Sequence, residues 1–138
     1  MTALRDEGRI AHFGVSNFPP ALLEEALALA PDVINDQVEL HPYLHQDELV
    51  QLAHDRDVLI TAYSPMDRGR VAQDPTLREI GAAHGKTPGQ AALRWLLDHP
   101  NTCVIPKASS HERRAENLDV FDFELSDEER ARIAALAS

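Results

Sequence analysis

The chain has 138 residues, 26% of them charged, with 23 acidic against 13 basic side chains and a formal charge of −10. That length allows one domain with a real core but only half of a complete eight-fold βα barrel, which takes about 250 residues. The acidic balance argues against nucleic-acid binding, which needs clustered Lys and Arg, and no apolar run approaches the roughly 20 residues of a membrane span.

Met1 to Arg9 reads as the last turns of a helix, stopped by Gly8 in the left-handed region. Ile10 to Val15 is a β-prone run and Ser16-Asn17 a turn. Pro19-Pro20 opens a helix at positions where missing N–H groups do no harm. Leu22, Leu23, Ala26, Leu27 and Ala30 then recur at helical spacing and predict one buried stripe. The unit repeats with a strand over Val33 to Leu40 and a helix over Gln46 to Arg56, whose apolar face is Leu49, Val50, Leu52 and Ala53. Val58 to Tyr63 is a third strand, followed by a loop over Ser64 to Asp74 and a helix near Pro75 to His84. A further helix spans Pro88 to Leu97, with Ala91, Ala92, Trp95 and Leu96 turned inward. Thr102 to Ile105 is the fourth strand and Glu112 to Leu118 the helix after it. The last helix opens at Ser126, with Glu129 three residues on as a capping box.

Strands separated by helices run parallel, because a crossover of a dozen or more residues returns the chain to the same end of the sheet. No linker rich in Pro, Gly or Ser divides residues 1–138, which read as a single α/β domain. An open doubly wound sheet and a barrel both satisfy the pattern. Cys103, the sole cysteine, excludes an internal disulfide, and its apolar surroundings predict a buried thiol. The N-terminus has no basic region followed by an apolar stretch, so a soluble, cytoplasmic protein is expected. Lys86 and Lys107 are the only lysines; a salt-rich cytoplasm and a GC-rich genome are both sources of such an acidic, lysine-poor composition.

In parallel βα folds the chemistry sits at the C-terminal ends of strands, where loops converge and helix N-termini lend positive charge. Four short stretches lie at such ends: Gly14-Val15-Ser16-Asn17-Phe18, Gln37-Val38-Glu39-Leu40-His41-Pro42-Tyr43, Ala62-Tyr63-Ser64-Pro65 and Ile105-Pro106-Lys107. Each alone has a bland reading: Ser16-Asn17 as a turn and helix cap, Gln37 as a polar strand end, Tyr63 as a core aromatic with a wet hydroxyl. In this order they resemble the cofactor-binding half of the aldo-keto reductases, over nearly the whole chain.

The resemblance implies a parallel (βα)4 half of a TIM-type (βα)8 barrel that binds NADP(H). By it, Ser16, Asn17 and Gln37 hydrogen-bond the nicotinamide carboxamide, Asn and Gln each supplying both a donor and an acceptor. Tyr63 stacks on the nicotinamide ring. Ser64, Pro65, Met66 and Gly69 wrap the pyrophosphate, with Met66 standing where the family commonly has Leu. Lys107 and Arg113 grip the adenosine 2′-phosphate, while Glu116 and Asn117 address the adenine. Ala108 departs from the family, where a hydroxyl residue adds a phosphate hydrogen bond, and leaves Ser109 as its substitute. Against this stands a reading of Arg113 and Arg114 as a solvated helix face.

No catalytic residue is assigned. The family's catalytic Asp, Tyr, Lys and His belong to the half that would precede Met1. Tyr43, Tyr63, Lys86 and Lys107 each match other positions. His41 and His45 are four apart, a spacing that suits a metal, but no third ligand is evident, and no metal is assigned. The expected function is the NADP(H)-binding portion of an oxidoreductase acting on small aldehydes or ketones, inactive alone. The alternative is a non-catalytic half-barrel serving nucleotide binding or assembly. A half-barrel leaves its first and last strands without neighbours and its inward layer facing water, so a homodimer or a complementing half-barrel is the expected partner.

Overall fold

The computed structural model describes residues 1–137. Four strands, β1 (Phe13–Ser16), β2 (Val33–Glu39), β3 (Leu59–Tyr63) and β4 (Thr102–Val104), form one parallel sheet in the order β1-β2-β3-β4. Seven α-helices accompany them among the described residues: α1 (Thr2–Asp6), α2 (Pro20–Leu29), α3 (Asp47–Asp55), α4 (Pro75–Ala83), α5 (Pro88–Leu97), α6 (His111–Leu118) and α7 (Asp127–Ala134). A doubly wound sheet reverses its strand order at a switch point, whereas here every strand lies beside its predecessor. The sheet is therefore a (βα)4 sector of the barrel type.

Alternation along β2 assigns the two faces. Val38 on β2 and its neighbours Ile60 and Ala62 on β3 are buried in a cluster with Leu23, Leu49, Ala53, Ile80, Ala92, Trp95 and Leu96 from the helices. The core thus sits between sheet and helices. The opposite face carries Asn35, Gln37 and Glu39 with Thr61 and Tyr63. There Thr61 donates to Asn35 Oδ1 at 2.7 Å and lies 3.3 Å from Cys103 Sγ. The inward layer expected to face water is mostly polar, Leu59 beside Asn35 being an apolar member at 40% exposure, which lowers the penalty of opening it.

Local signals behave as their chemistry dictates. Ser126 and Glu129 form the expected capping box on α7, and Thr87 and Gln90 form another on α5. Asp74 caps α4 by accepting from the Thr76 and Leu77 N–H groups. Gly8 closes the N-terminal turn at φ 71°.

Two expectations of burial are corrected. On α2 Leu23 is fully buried, but Leu22 is 40% exposed, because the helix packs at the open β1 edge and meets little beyond β2 and α3. Cys103 is half-buried rather than buried, because β4 is the other edge strand and pairs on one side alone. The two edge strands also differ from the predicted runs: β1 begins at Phe13 and takes in Ser16, read from sequence as part of the turn, and β4 ends at Val104. No helix among the described residues is long and apolar enough to cross a membrane.

Candidate functional site

The turn after β1 is tied to β2 by its own polar groups. Ser16 Oγ donates to the Gln37 carbonyl at 2.9 Å, and the Asn17 N–H donates to the same oxygen at 2.9 Å. Asn17 adopts φ 58°, a left-handed conformation that Asn tolerates better than most residues. Its Oδ1 accepts from the Tyr63 hydroxyl at 3.0 Å. Ser16, Asn17, Gln37 and Tyr63 are thereby brought together at one end of the sheet, Gln37 through its main-chain carbonyl.

The loop after β3 stores backbone strain. Ser64, Asp67 and Arg68 have φ of 53°, 39° and 50°, and Gly69 follows at 98°. Each non-glycine residue in that region costs on the order of 1 kcal/mol, so the loop needs anchors. The Tyr43 hydroxyl donates to Asp74 Oδ2 at 3.1 Å, and the Arg70 guanidinium lies 3.7 Å above the Tyr43 ring centroid. Burial first, then the hydrogen bond and charge of Asp74, push the Tyr43 phenol up to about 12. A phenol held this way keeps its proton and suits an anchor better than an acid.

His41 is a second anchor. Its Nδ1 accepts from the Tyr43 N–H at 3.3 Å, which turns Nε2 toward Glu39 Oε1 at 3.5 Å and Asp67 Oδ1 at 3.9 Å. The ligand atoms of Glu39, His41 and Asp67 all lie within 4.8 Å of one another, a trio that spacing alone did not reveal. His45 turns elsewhere, with Nε2 3.2 Å from the Pro42 carbonyl and its ring against Trp95.

Beside this loop opens a hollow of about 570 Å³, within the range of small-molecule sites. Met66, Gly69, Lys107, Arg113, Glu116 and Asn117, predicted from sequence, all line it. So do Val71, Ala72, Thr87, Pro88, Gly89 and Ala108. Thr87-Pro88 is legible in sequence as a helix start; that this start forms one wall is a tertiary fact. Glu116 accepts from the Thr87 hydroxyl at 2.7 Å, while Gln90 Nε2 donates to the Glu116 and Asp119 carbonyls at 3.1 and 2.8 Å, docking α6 on α5. Ser64 and Pro65 connect the two regions without lining the hollow. Ser109 is exposed outside it, its carbonyl accepting from Arg114 at 3.0 Å.

Charge singles out two of these residues. Most cations of this acidic chain are matched: Lys86 with Asp119 and Asp122, Arg94 and Arg130 with Asp98, Arg132 with Glu79. Among the described residues Lys107 and Arg113 make no ion pair, yet both line the hollow, and Arg113 lies in the first turn of α6. Two uncommitted cations beside a helix N-terminus can bind a phosphate dianion.

The sequence profile of the Aldo/keto reductase family matches residues 1–138. The chain belongs to that family. An aldo-keto reductase of Mycolicibacterium smegmatis is 44% identical over 137 residues, which cover 96% of this chain and 48% of that protein. A crystal structure assigned as 2,5-diketo-D-gluconic acid reductase B superimposes with a TM-score of 0.95 at 41% identity, over 99% of this chain and 49% of that one. The D53A mutant of Gox0644, solved in complex with NADPH, gives a TM-score of 0.89 at 33% identity, over 98% of this chain and 50% of that one. The chain thus spans about half the length of the curated relatives it matches. Its (βα)4 sheet corresponds to half of the aldo-keto reductase barrel.

Proposed function

We propose that this chain is the NADP(H)-binding portion of an aldo-keto reductase-type oxidoreductase that reduces small aldehydes or ketones. The observation that carries the reading is the pair Lys107 and Arg113, uncommitted among the described residues and lining one hollow with Met66, Gly69, Glu116 and Asn117. In this reading Lys107 and Arg113 hold the 2′-phosphate, with Ser109 as the candidate for an added hydroxyl. Glu116 and Asn117 address the adenine, and Ser64, Pro65, Met66 and Gly69 follow the pyrophosphate. Ser16, Asn17 and Gln37 receive the carboxamide, and Tyr63 backs the nicotinamide. The cofactor supplies hydride; the proton comes from a group outside this chain. The NADPH complex of the Gox0644 mutant supports the choice of cofactor. The cytoplasm is the compartment this reading implies.

Completion requires a partner for both sheet edges. Beside β4 an apolar hollow of about 390 Å³ is bordered by Cys103, Val104 and Val120, with Leu118 and Phe121 at its rim, 72% and 70% exposed. A complementing half-barrel covers it best, since the corresponding relatives are about twice this length; a homodimer is the other arrangement. The polar inward face and the core on the helix side favour a second reading, a non-catalytic half-barrel that binds nucleotide or assembles without reducing anything.

The test is amide mapping by NMR with adenosine 2′,5′-bisphosphate against adenosine 5′-monophosphate. Shifts confined to residues around Lys107, Arg113 and Asn117, far stronger for the bisphosphate, support the reading. Equal or absent responses overturn it.

A further inference from the structure

Asp36 is a fully buried acid for which the cofactor-site reading has no use. In register it lies beside Val15 on β1 and Ile60 on β3, both apolar. Its Oδ1 accepts from the Phe18 N–H at 3.4 Å, and its Oδ2 is buried without a hydrogen-bond partner among the described residues. Burial raises its pKa above the ordinary aspartate value, opposed in part by the Phe18 N–H. For folding alone an apolar side chain is the better occupant of such a place.

What the acid provides lies across the sheet. The next residue, Gln37, accepts from both Ser16 Oγ and the Asn17 N–H through its carbonyl. Asp36 then takes the N–H that follows. Three consecutive residues are thus tied to two consecutive residues of β2, Ser16 and Asn17 to Gln37 and Phe18 to Asp36, and the middle one is the left-handed Asn17 that meets Tyr63. An apolar residue at 36 orphans the Phe18 N–H and frees the turn on its helix side.

We propose that Asp36 is a positioning residue of the cofactor site: its buried carboxyl holds the Phe18 N–H and so fixes Asn17 in the left-handed conformation that aims its amide at Tyr63. The assignment of Asn17 and Tyr63 to the nicotinamide end rests on the function proposed above; the clamp itself does not. Asp36 acts through the turn and touches no substrate. Asn at this position keeps the acceptor oxygen, while Leu removes it and keeps the branched shape, and Ala removes it without adding volume to this fully buried place.

The test compares Asp36→Leu and Asp36→Asn in the whole chain, with two readouts. Without cofactor, NMR follows hydrogen exchange of the Phe18 amide and the Asn17 side-chain amide and Tyr63 ring signals. Asp36→Leu is expected to speed Phe18 exchange at least about tenfold relative to β2 amides and to move the Asn17 and Tyr63 signals. With cofactor, the same variant weakens NADPH binding about tenfold without lowering the melting temperature, and Asp36→Asn restores both readouts. Unchanged Phe18 exchange and Asn17 signals in Asp36→Leu overturn the proposal, as does failure of Asp36→Asn to rescue. Should Asp36→Leu not fold, Asp36→Ala carries the same comparison. If the wild-type chain binds no NADPH, the cofactor reading fails while the exchange data still decide the role of Asp36.

Discussion

The Tyr63 hydroxyl reaches across β2 to Asn17 Oδ1 at 3.0 Å, joining the ends of β3 and β1 over 46 residues of sequence. This bond orients the Asn17 amide through its oxygen, and the amide nitrogen has no hydrogen-bond partner among the described residues. Replacing Tyr63 by Phe keeps the ring and loses the bond, worth about 0.5–1.5 kcal/mol, so NADPH affinity is expected to fall roughly two- to tenfold. Tyr63→Ala also removes the stacking surface and should fall further. Calorimetric titration of both variants, with melting curves to show an intact fold, checks the order.

Lys107 and Arg113 are predicted to set cofactor choice. Hydrogen bonds to charged groups contribute about 1.5–3 kcal/mol, so either alanine variant should lose roughly ten- to a hundredfold in NADPH affinity. NADH, which lacks the 2′-phosphate, should change little. Selectivity in the wild type should shrink as salt rises, since both cations are exposed. Paired NADPH and NADH titrations at two ionic strengths measure this.

Asp36 gives a pH signature of defined sign. Its folded pKa is raised above the ordinary 3.8, so the folded chain holds this proton more tightly than the unfolded one. The contribution to stability is full below the unfolded value and is lost as pH rises through the folded value. Asp36→Asn, which carries no such proton, should therefore melt higher than wild type at neutral pH, and the gap should close as pH falls toward that of the unfolded acid. Thermal melts across this range would show a constant gap, or a reversed one, if the carboxyl sits at an ordinary pKa.

Two glycines make a matched pair. A Cβ at Gly81 would stand 2.8 Å from the Lys86 oxygen and from the Thr87 C and O, backbone atoms that cannot yield. Gly81→Ala should cost about 1–3 kcal/mol and disturb the Thr87 wall of the hollow. A Cβ at Gly89 meets chiefly Met66 Cε at 3.3 Å, the end of a flexible side chain, so Gly89→Ala should fold nearly as well. Urea midpoints of the two variants give the comparison.

Elements that depend on nearby residues were legible in the sequence. The Ser126–Glu129 box, Pro20 and Pro88 at helix starts and Gly8 at a helix end all act within one turn, and all stand where their chemistry places them. The resemblance supplied the site residues, and the structure brings Met66, Gly69, Lys107, Arg113, Glu116 and Asn117 to one hollow. What depends on tertiary neighbours was not legible. Leu22 fits a helical stripe but lies at an open edge, and the exposure of Cys103 follows from β4 lacking an outer neighbour. Asp36 reads in sequence as one polar residue among Asn35, Asp36 and Gln37; only the register shows that it alone of the three turns to the apolar side. The Thr87–Glu116 bond joins residues 29 apart and has no local signal.

The most direct test is a calorimetric titration of the whole chain with NADPH and NADH, with mass in solution recorded by light scattering on the same sample. The account predicts micromolar binding of NADPH, weaker binding of NADH and loss of that preference in Lys107→Ala with Arg113→Ala. A folded chain that binds neither cofactor, or both equally, would contradict it.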